Sequence, residues 1–150
     1  MSDMNEWAKA KVDAIKPQLD ELRAEDEKAV DDQRHKRLQE ALMWEAISAK
    51  ALEGCNAVNL QLGRSLLVWS RNTDKSIVIG SYVGTKSTEL VAKFLVEDCA
   101  IIWDLSRYNG VIDAAGRLVF QMGSENPALD AEGMGKEIVD AALDKIKHTN

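Results

Sequence analysis

The residues of this chain that could do acid–base chemistry are carboxylates in its second half. Glu97, Asp98 and Asp104 fall on or between predicted strands, with Glu89 nearby. Two carboxylates on adjacent strands could act as a general acid and a general base. Acidic residues at hairpin tips more commonly serve the turn, because their side chains hydrogen-bond to the local backbone. We therefore expect no catalytic residue and predict that the chain is not an enzyme.

Thiol and imidazole groups are too few and too scattered to indicate a reactive or metal-binding site. The cysteines Cys55 and Cys99 lie in apolar stretches, where a thiol packs as a small hydrophobic group. The histidines are His35, in a charged helix, and His148, at the end of the last helix. A thiolate needs a neighbouring base, and a tight metal site needs several converging ligands. We expect no metal and no cofactor.

Three aromatic residues are the candidate binding residues. Trp69, Tyr82 and Trp103 all fall on predicted strands. If their side chains share the exposed face of the sheet, they form an aromatic platform of the kind that marks a protein interface or a ligand groove. If they point the other way, they belong to the core. Both arrangements fit the sequence.

Length and charge restrict the class of protein. The chain has 150 residues, the usual size of one domain, and a formal net charge of −6. A net negative surface repels phosphate backbones and anionic lipid headgroups, so neither nucleic acid nor a membrane is an expected partner. No apolar run approaches the roughly 20 residues of a membrane span, and no secretory signal is visible. Two distant cysteines with no CxxC motif favour reduced thiols, and with the other features they predict a cytoplasmic protein, although a single Cys55–Cys99 disulfide also fits the sequence.

The first part of the chain, residues 1–62, is predicted to be a helical arm. Pro17 should kink this arm or divide it into separate helices, because proline removes a helical hydrogen bond. Gly63 is placed to end the helical region. Apolar residues spaced by four, three, four and three positions form one stripe: Ala8, Val12, Ile15, Leu19 and Leu22.

After Gly63 the apolar period becomes two, which predicts an antiparallel sheet over residues 63–123. Residues 90–96 also fit a helix, but short connections on both sides favour a strand. Asn109-Gly110 is the strongest turn signal. A closing helix is expected over residues 126–148, packed on one face of the sheet. The predicted fold is α+β: N-terminal helices, a meander of four to six strands and a C-terminal helix. The predicted strands are 66–71, 76–83, 89–96, 99–105 and 117–122.

The order of these segments resembles a group of small uncharacterised bacterial α+β proteins. The matching pieces are residues 55–59, the strands from Leu66 onward, residues 116–120 and the helix through Leu143. The resemblance implies the topology of helices, meander and closing helix, and it implies no activity.

Three functions remain open from the sequence. The first is a non-catalytic protein-interaction module that self-associates, as a homodimer, or binds another protein through its N-terminal arm. A variant is a client-binding protein similar to secretion chaperones, by analogy of size, charge and fold class. The third is a protein that holds a small apolar ligand between the sheet and the helices, in a pocket lined by Trp69, Tyr82 and Trp103.

Overall fold

The computed structural model describes residues 2–148, and the chain divides into two compact units, Met1–Leu38 and Gln39–Asn150. The described part of the first unit is helical throughout. The second unit contains the rest of that helix, the sheet and a second helix. The boundary therefore falls inside the predicted arm of residues 1–62, and the segment from Gln39 onward belongs with the sheet.

Helix α1 runs from Ser2 to Leu62 as one element with Pro17 inside it. Of the two alternatives expected at Pro17, the division into separate helices does not occur, and the kink stays a prediction. Residues around the proline, including Lys16 and Gln18, are good helix formers, so the loss of one hydrogen bond does not end the helix. Gly63 ends it as predicted: its φ is +67° and its N–H donates to the carbonyl of Leu60 over 3.2 Å.

The sheet is a six-stranded antiparallel meander in which each strand pairs with its neighbours in the chain. With the long helix before it and a helix after it, this arrangement confirms the predicted α+β fold. Residues 90–95 lie in the third strand, as favoured over the helical alternative. The strands are β1 Leu67–Asn72, β2 Ser76–Val83, β3 Lys86–Leu95, β4 Ala100–Trp103, β5 Ser106–Ile112 and β6 Leu118–Gln121.

Asn109-Gly110 is not a turn, and this prediction was wrong. Both residues lie inside β5, and the chain reverses one strand earlier, at Asp104-Leu105, where Asp104 has a φ of +52°. Gly110 donates its N–H to the carbonyl of Cys99 over 2.7 Å, and a Cβ at position 110 would lie 3.0 Å from that oxygen. The glycine therefore permits a close approach of two backbones and has no part in a turn.

Helix α2 spans Ala131–Lys147 and begins later than residue 126. Asp130 is its N-cap, and its carboxylate accepts a hydrogen bond from the Gly133 N–H over 2.8 Å. The preceding Leu129 is held in extended form because its backbone pairs with Phe120 through hydrogen bonds of 2.7 and 2.9 Å. Pairing with the sheet thus keeps the segment after Pro127 out of the helix.

The core of the second unit lies between the two helices and one face of the sheet. Trp44 of α1 is buried and stacks on Phe94 of β3 at a centroid distance of 5.8 Å. Gly135 of α2 lies against α1, since a Cβ there would stand 2.8 Å from the backbone nitrogen of Ala51. In β1 the register turns Leu67 toward the core and leaves the next residue, Val68, exposed. Within residues 2–148, neither helix is both long enough and apolar enough to span a bilayer.

Candidate interaction surface

The apolar stripe of the first unit is exposed. Val12, Ile15, Leu19 and Leu22 have 52, 47, 50 and 56% of their surface accessible, and Ala8 is half-buried. Residues spaced by three and four lie on one side of a helix, so these five side chains form a continuous seam. We call residues 8, 12, 15, 19 and 22 the seam of α1.

Burial of the seam against a partner would contribute a favourable free energy. Complete burial of a Val, Leu or Ile side chain is worth roughly 1.5–3 kcal/mol, and each large seam residue is about half exposed. Covering the four large side chains would therefore contribute about 3–6 kcal/mol before the costs of association. Helices in water gain most of their stability from packing an apolar face, so the seam is the part of this unit that a partner would stabilise.

The three candidate aromatic residues do not share one face. Trp103 is 5% exposed and stacks on Tyr108 at 5.0 Å, so it belongs to the core. Trp69 lies opposite Ile79, on the side of the sheet that the helices cover, and is 39% exposed on the edge strand β1. Tyr82 points to the other side of β2 and is 69% exposed. The structure therefore does not assemble a platform from these residues.

Two of the four candidate carboxylates, Asp98 and Asp104, lie in turns and form ion pairs. Asp98, in the turn between β3 and β4, lies 3.7 Å from Arg107. Asp104, in the next turn, lies 3.1 Å from the ammonium group of Lys145. Glu97 is exposed, and Glu89 contributes its backbone carbonyl to Lys145 at 2.9 Å. These positions fit turn chemistry and attachment of α2 to the sheet.

The cysteines and histidines lie apart. Cys55 is fully buried, and burial raises the pKa of its thiol to about 11, which opposes thiolate formation at neutral pH. Cys99 is half-buried, and neither cysteine is in a disulfide. His35 lies in α1, whereas His148 caps the end of α2. Among residues 2–148, no three His, Cys, Asp or Glu side chains are grouped as a metal site would require.

One polar pair inside the second unit, Tyr108 and Glu137, is not predicted by the sequence. The hydroxyl of Tyr108 donates a hydrogen bond to the Glu137 carboxylate over 3.1 Å, which connects β5 to α2. Burial raises the pKa of Tyr108 to about 12, and the charge and hydrogen bond of Glu137 add to the effect. The two residues are 29 positions apart, so no local pattern could have revealed the pair.

Similarity to known proteins does not assign the chain to a family. No family model, curated protein or solved structure matches it. The resemblance to small bacterial α+β proteins stays a prediction from the order of the segments.

A second surface lies wholly within the second unit. It is an open groove of about 640 Å³ between α1, β6 and the start of α2. This volume is in the range of small-molecule sites. The groove contains none of the three candidate aromatic residues. Its apolar lining consists of Leu42, Met43, Ala46, Leu118, Val119 and Ala131.

Proposed function

We propose that this chain is a non-catalytic protein-interaction module whose binding element is the seam of α1. The observation that carries the proposal is a row of four large aliphatic side chains, 47–56% exposed, along one side of a helix. Helix-to-helix recognition uses such residues at three- and four-residue spacing as anchors in a partner's groove. This function includes self-association into a homodimer. It also includes binding of a different protein, such as a client of the kind that secretion chaperones bind.

Two further observations support a binding role over catalysis. The carboxylates that could have formed an acid–base pair, Asp98 and Asp104, are engaged with Arg107 and Lys145 in separate turns. The buried Cys55 has a raised thiol pKa, the opposite of what activation of a nucleophile requires. The proposal includes a cytoplasmic location, where cysteines outside disulfides, such as Cys55 and Cys99, stay reduced.

The test is a paired substitution in the seam. Ile15→Ser with Leu19→Ser removes two central anchors and leaves the net charge unchanged. Native mass spectrometry of the protein purified gently from its own host should show a dimer or a complex for the natural chain and a free monomer for the variant. Serine is tolerated at exposed helical positions, so circular dichroism should remain close to that of the natural chain.

The matched control is Ala10→Ser with Ala14→Ser, since both residues are exposed and lie on the side of α1 away from the seam. This variant should keep its partner. A natural chain that is a monomer with no bound protein, unchanged by the seam substitutions, would overturn the proposed function.

A second candidate function is the binding of a small apolar ligand, favoured by the groove beside Met43 and Leu118. Enlarging Ala46 to Phe would fill this groove from the exposed side of α1. An apolar fluorescent probe that binds the natural chain should then lose affinity for the Ala46→Phe variant. Equal binding by both proteins would place the probe elsewhere and remove this candidate.

A further inference from the structure

The seam of α1 has a heptad register with distinct flanking positions. Val12 and Leu19 occupy a positions, and Ala8, Ile15 and Leu22 occupy d positions. The e positions, which directly follow d, all carry basic residues: Lys9, Lys16 and Arg23. The g positions along the same stretch carry Lys11, Gln18 and Glu25. One flank of the seam is thus uniformly positive, although the chain as a whole is acidic.

The positive flank is available to a partner. Among residues 2–148, none of the ion pairs involves Lys9, Lys16 or Arg23. Acidic residues do occur three positions before each basic e residue, but these b positions point away from the seam. The e residues therefore meet a docked helix directly. The b residues are Glu6, Asp13 and Asp20.

A second copy of this chain fits the seam poorly in either orientation. In an antiparallel pair, e positions face e positions and g positions face g positions. Every alignment therefore puts basic e residues beside basic e residues, and only the alignment that also sets Lys11 beside Glu25 at g offsets part of this repulsion. In a parallel pair, g faces the e position five residues later, which sets Lys11 of one copy beside Lys16 of the other. The next such combinations, Gln18 with Arg23 and Glu25 with Val30, contain no pair of opposite charges.

We infer that the seam binds an amphipathic helix of a different protein, one that carries aliphatic residues on its apolar side and acidic residues flanking it. This inference rests on the proposed function and names its partner class. The contact is bounded by Asn5 and Asp26, the polar residues at the a positions on either side of the seam. Opposite charges at flanking positions set partner choice in paired helices, and like charges exclude the wrong partner.

The test uses the full chain and two labelled helical peptides of three heptads. Both peptides carry leucine at a and d; one has glutamate at every e and g position, and the other has lysine there. Fluorescence anisotropy should show that the acidic peptide binds with an affinity roughly tenfold or more above that of the basic peptide. The reason is that the three basic e residues and Lys11 at g attract glutamate and repel lysine. The preference should shrink as salt is raised to 0.5 M.

Charge reversal at the e positions provides a second test. The triple variant Lys9→Glu, Lys16→Glu and Arg23→Glu should prefer the basic peptide. The matched control, Lys28→Glu, Arg34→Glu and Lys36→Glu, changes the net charge equally but lies beyond Asp26, so it should keep its preference for the acidic peptide. Circular dichroism of both variants should show that α1 remains helical.

The outcomes separate this inference from the proposed function. Equal affinity for the two peptides, or a preference that survives reversal of the e residues, overturns the inference. A natural homodimer that the Ile15→Ser and Leu19→Ser changes dissociate also overturns it, while the interaction module stands. If neither peptide binds and the seam substitutions change no assembly, both the inference and the proposed function fail.

Discussion

The side-chain amide of Asn59 is hydrogen-bonded twice to the backbone of Leu67. Its Nδ2 donates to the Leu67 carbonyl and its Oδ1 accepts from the Leu67 N–H, each over 2.9 Å. The amide thereby occupies the free edge of β1 at its first residue and connects the last turns of α1 to the sheet. Leu67 itself is buried, so the pair fixes which residues of β1 face the core.

Replacing Asn59 with alanine should therefore lower the free energy of unfolding by about 1–2 kcal/mol, since two partly buried backbone groups lose their partners. Asn59→Asp should be at least as damaging, because a carboxylate cannot donate to the Leu67 carbonyl. Asn56→Ala is the control, as Asn56 is exposed in the preceding turn. Urea denaturation measures all three. Equal stability of the Asn59 and Asn56 variants would contradict the assigned role.

Gly135→Ala should also destabilise the second unit. The new Cβ would lie 2.7 Å from the Cβ of Lys50 and 2.8 Å from the Ala51 backbone nitrogen, so α1 and α2 would have to separate. Overpacking of this kind costs about 1–3 kcal/mol, which exceeds the gain of about 1 kcal/mol in helix propensity. The control is Asp140→Ala, which changes an exposed residue of α2, so its effect on stability reflects helix propensity alone. A thermal midpoint for Gly135→Ala at or above that of the natural chain would contradict this packing.

Stability should fall at high pH. The thiol pKa of Cys55 rises from 9.0 to about 11, and the pKa of Tyr108 rises from 10.0 to about 12. Both groups hold their protons more tightly when folded, so their contribution is complete below about pH 9 and is lost as pH rises through the folded values. Tyr108→Phe should reduce the decline between pH 10 and 12. Tyr82→Phe, at an exposed tyrosine, should leave the profile of urea midpoints against pH unchanged.

Glu40→Met should stabilise the second unit. Glu40 is 3% exposed, and its Oε2 has no hydrogen-bond partner among the described residues. A buried polar atom left unsatisfied costs about 1–3 kcal/mol, and methionine offers similar volume without that cost. A gain of about 1 kcal/mol in urea denaturation is expected. Glu45→Met, at an exposed position, should change little. A loss of stability in Glu40→Met would mean that the carboxylate makes a favourable interaction in solution.

The fold class follows from local patterns, but several boundaries depend on contacts that local patterns do not contain. The change of apolar period at Gly63 separates α1 from the sheet, and both sides of that change were visible in the sequence. Asn109-Gly110 has the composition of a turn, yet the close approach of Cys99 places it inside β5. A glycine that serves a turn and one that serves a close backbone contact look the same in a sequence.

The sequence predicts the spacing of the seam residues but not the exposure of their side chains. The seam was visible as a stripe, because residues three and four apart share a helix side wherever the helix lies. Whether that side is covered depends on tertiary packing. The same limit applies to Trp69 and Trp103, which share the alternating strand pattern but differ in burial, because β1 is an edge strand and β4 is central.

The meander order of the sheet has a consequence for how the second unit reaches its native state. Because every strand pairs with a neighbour in the chain, the sheet can grow by successive hairpins whose loops close quickly. The apolar side of α1 around Trp44 precedes all six strands, so on a ribosome it emerges before any surface that can cover it. Trp44 gains its aromatic partner only when the third strand, β3, brings Phe94 against it.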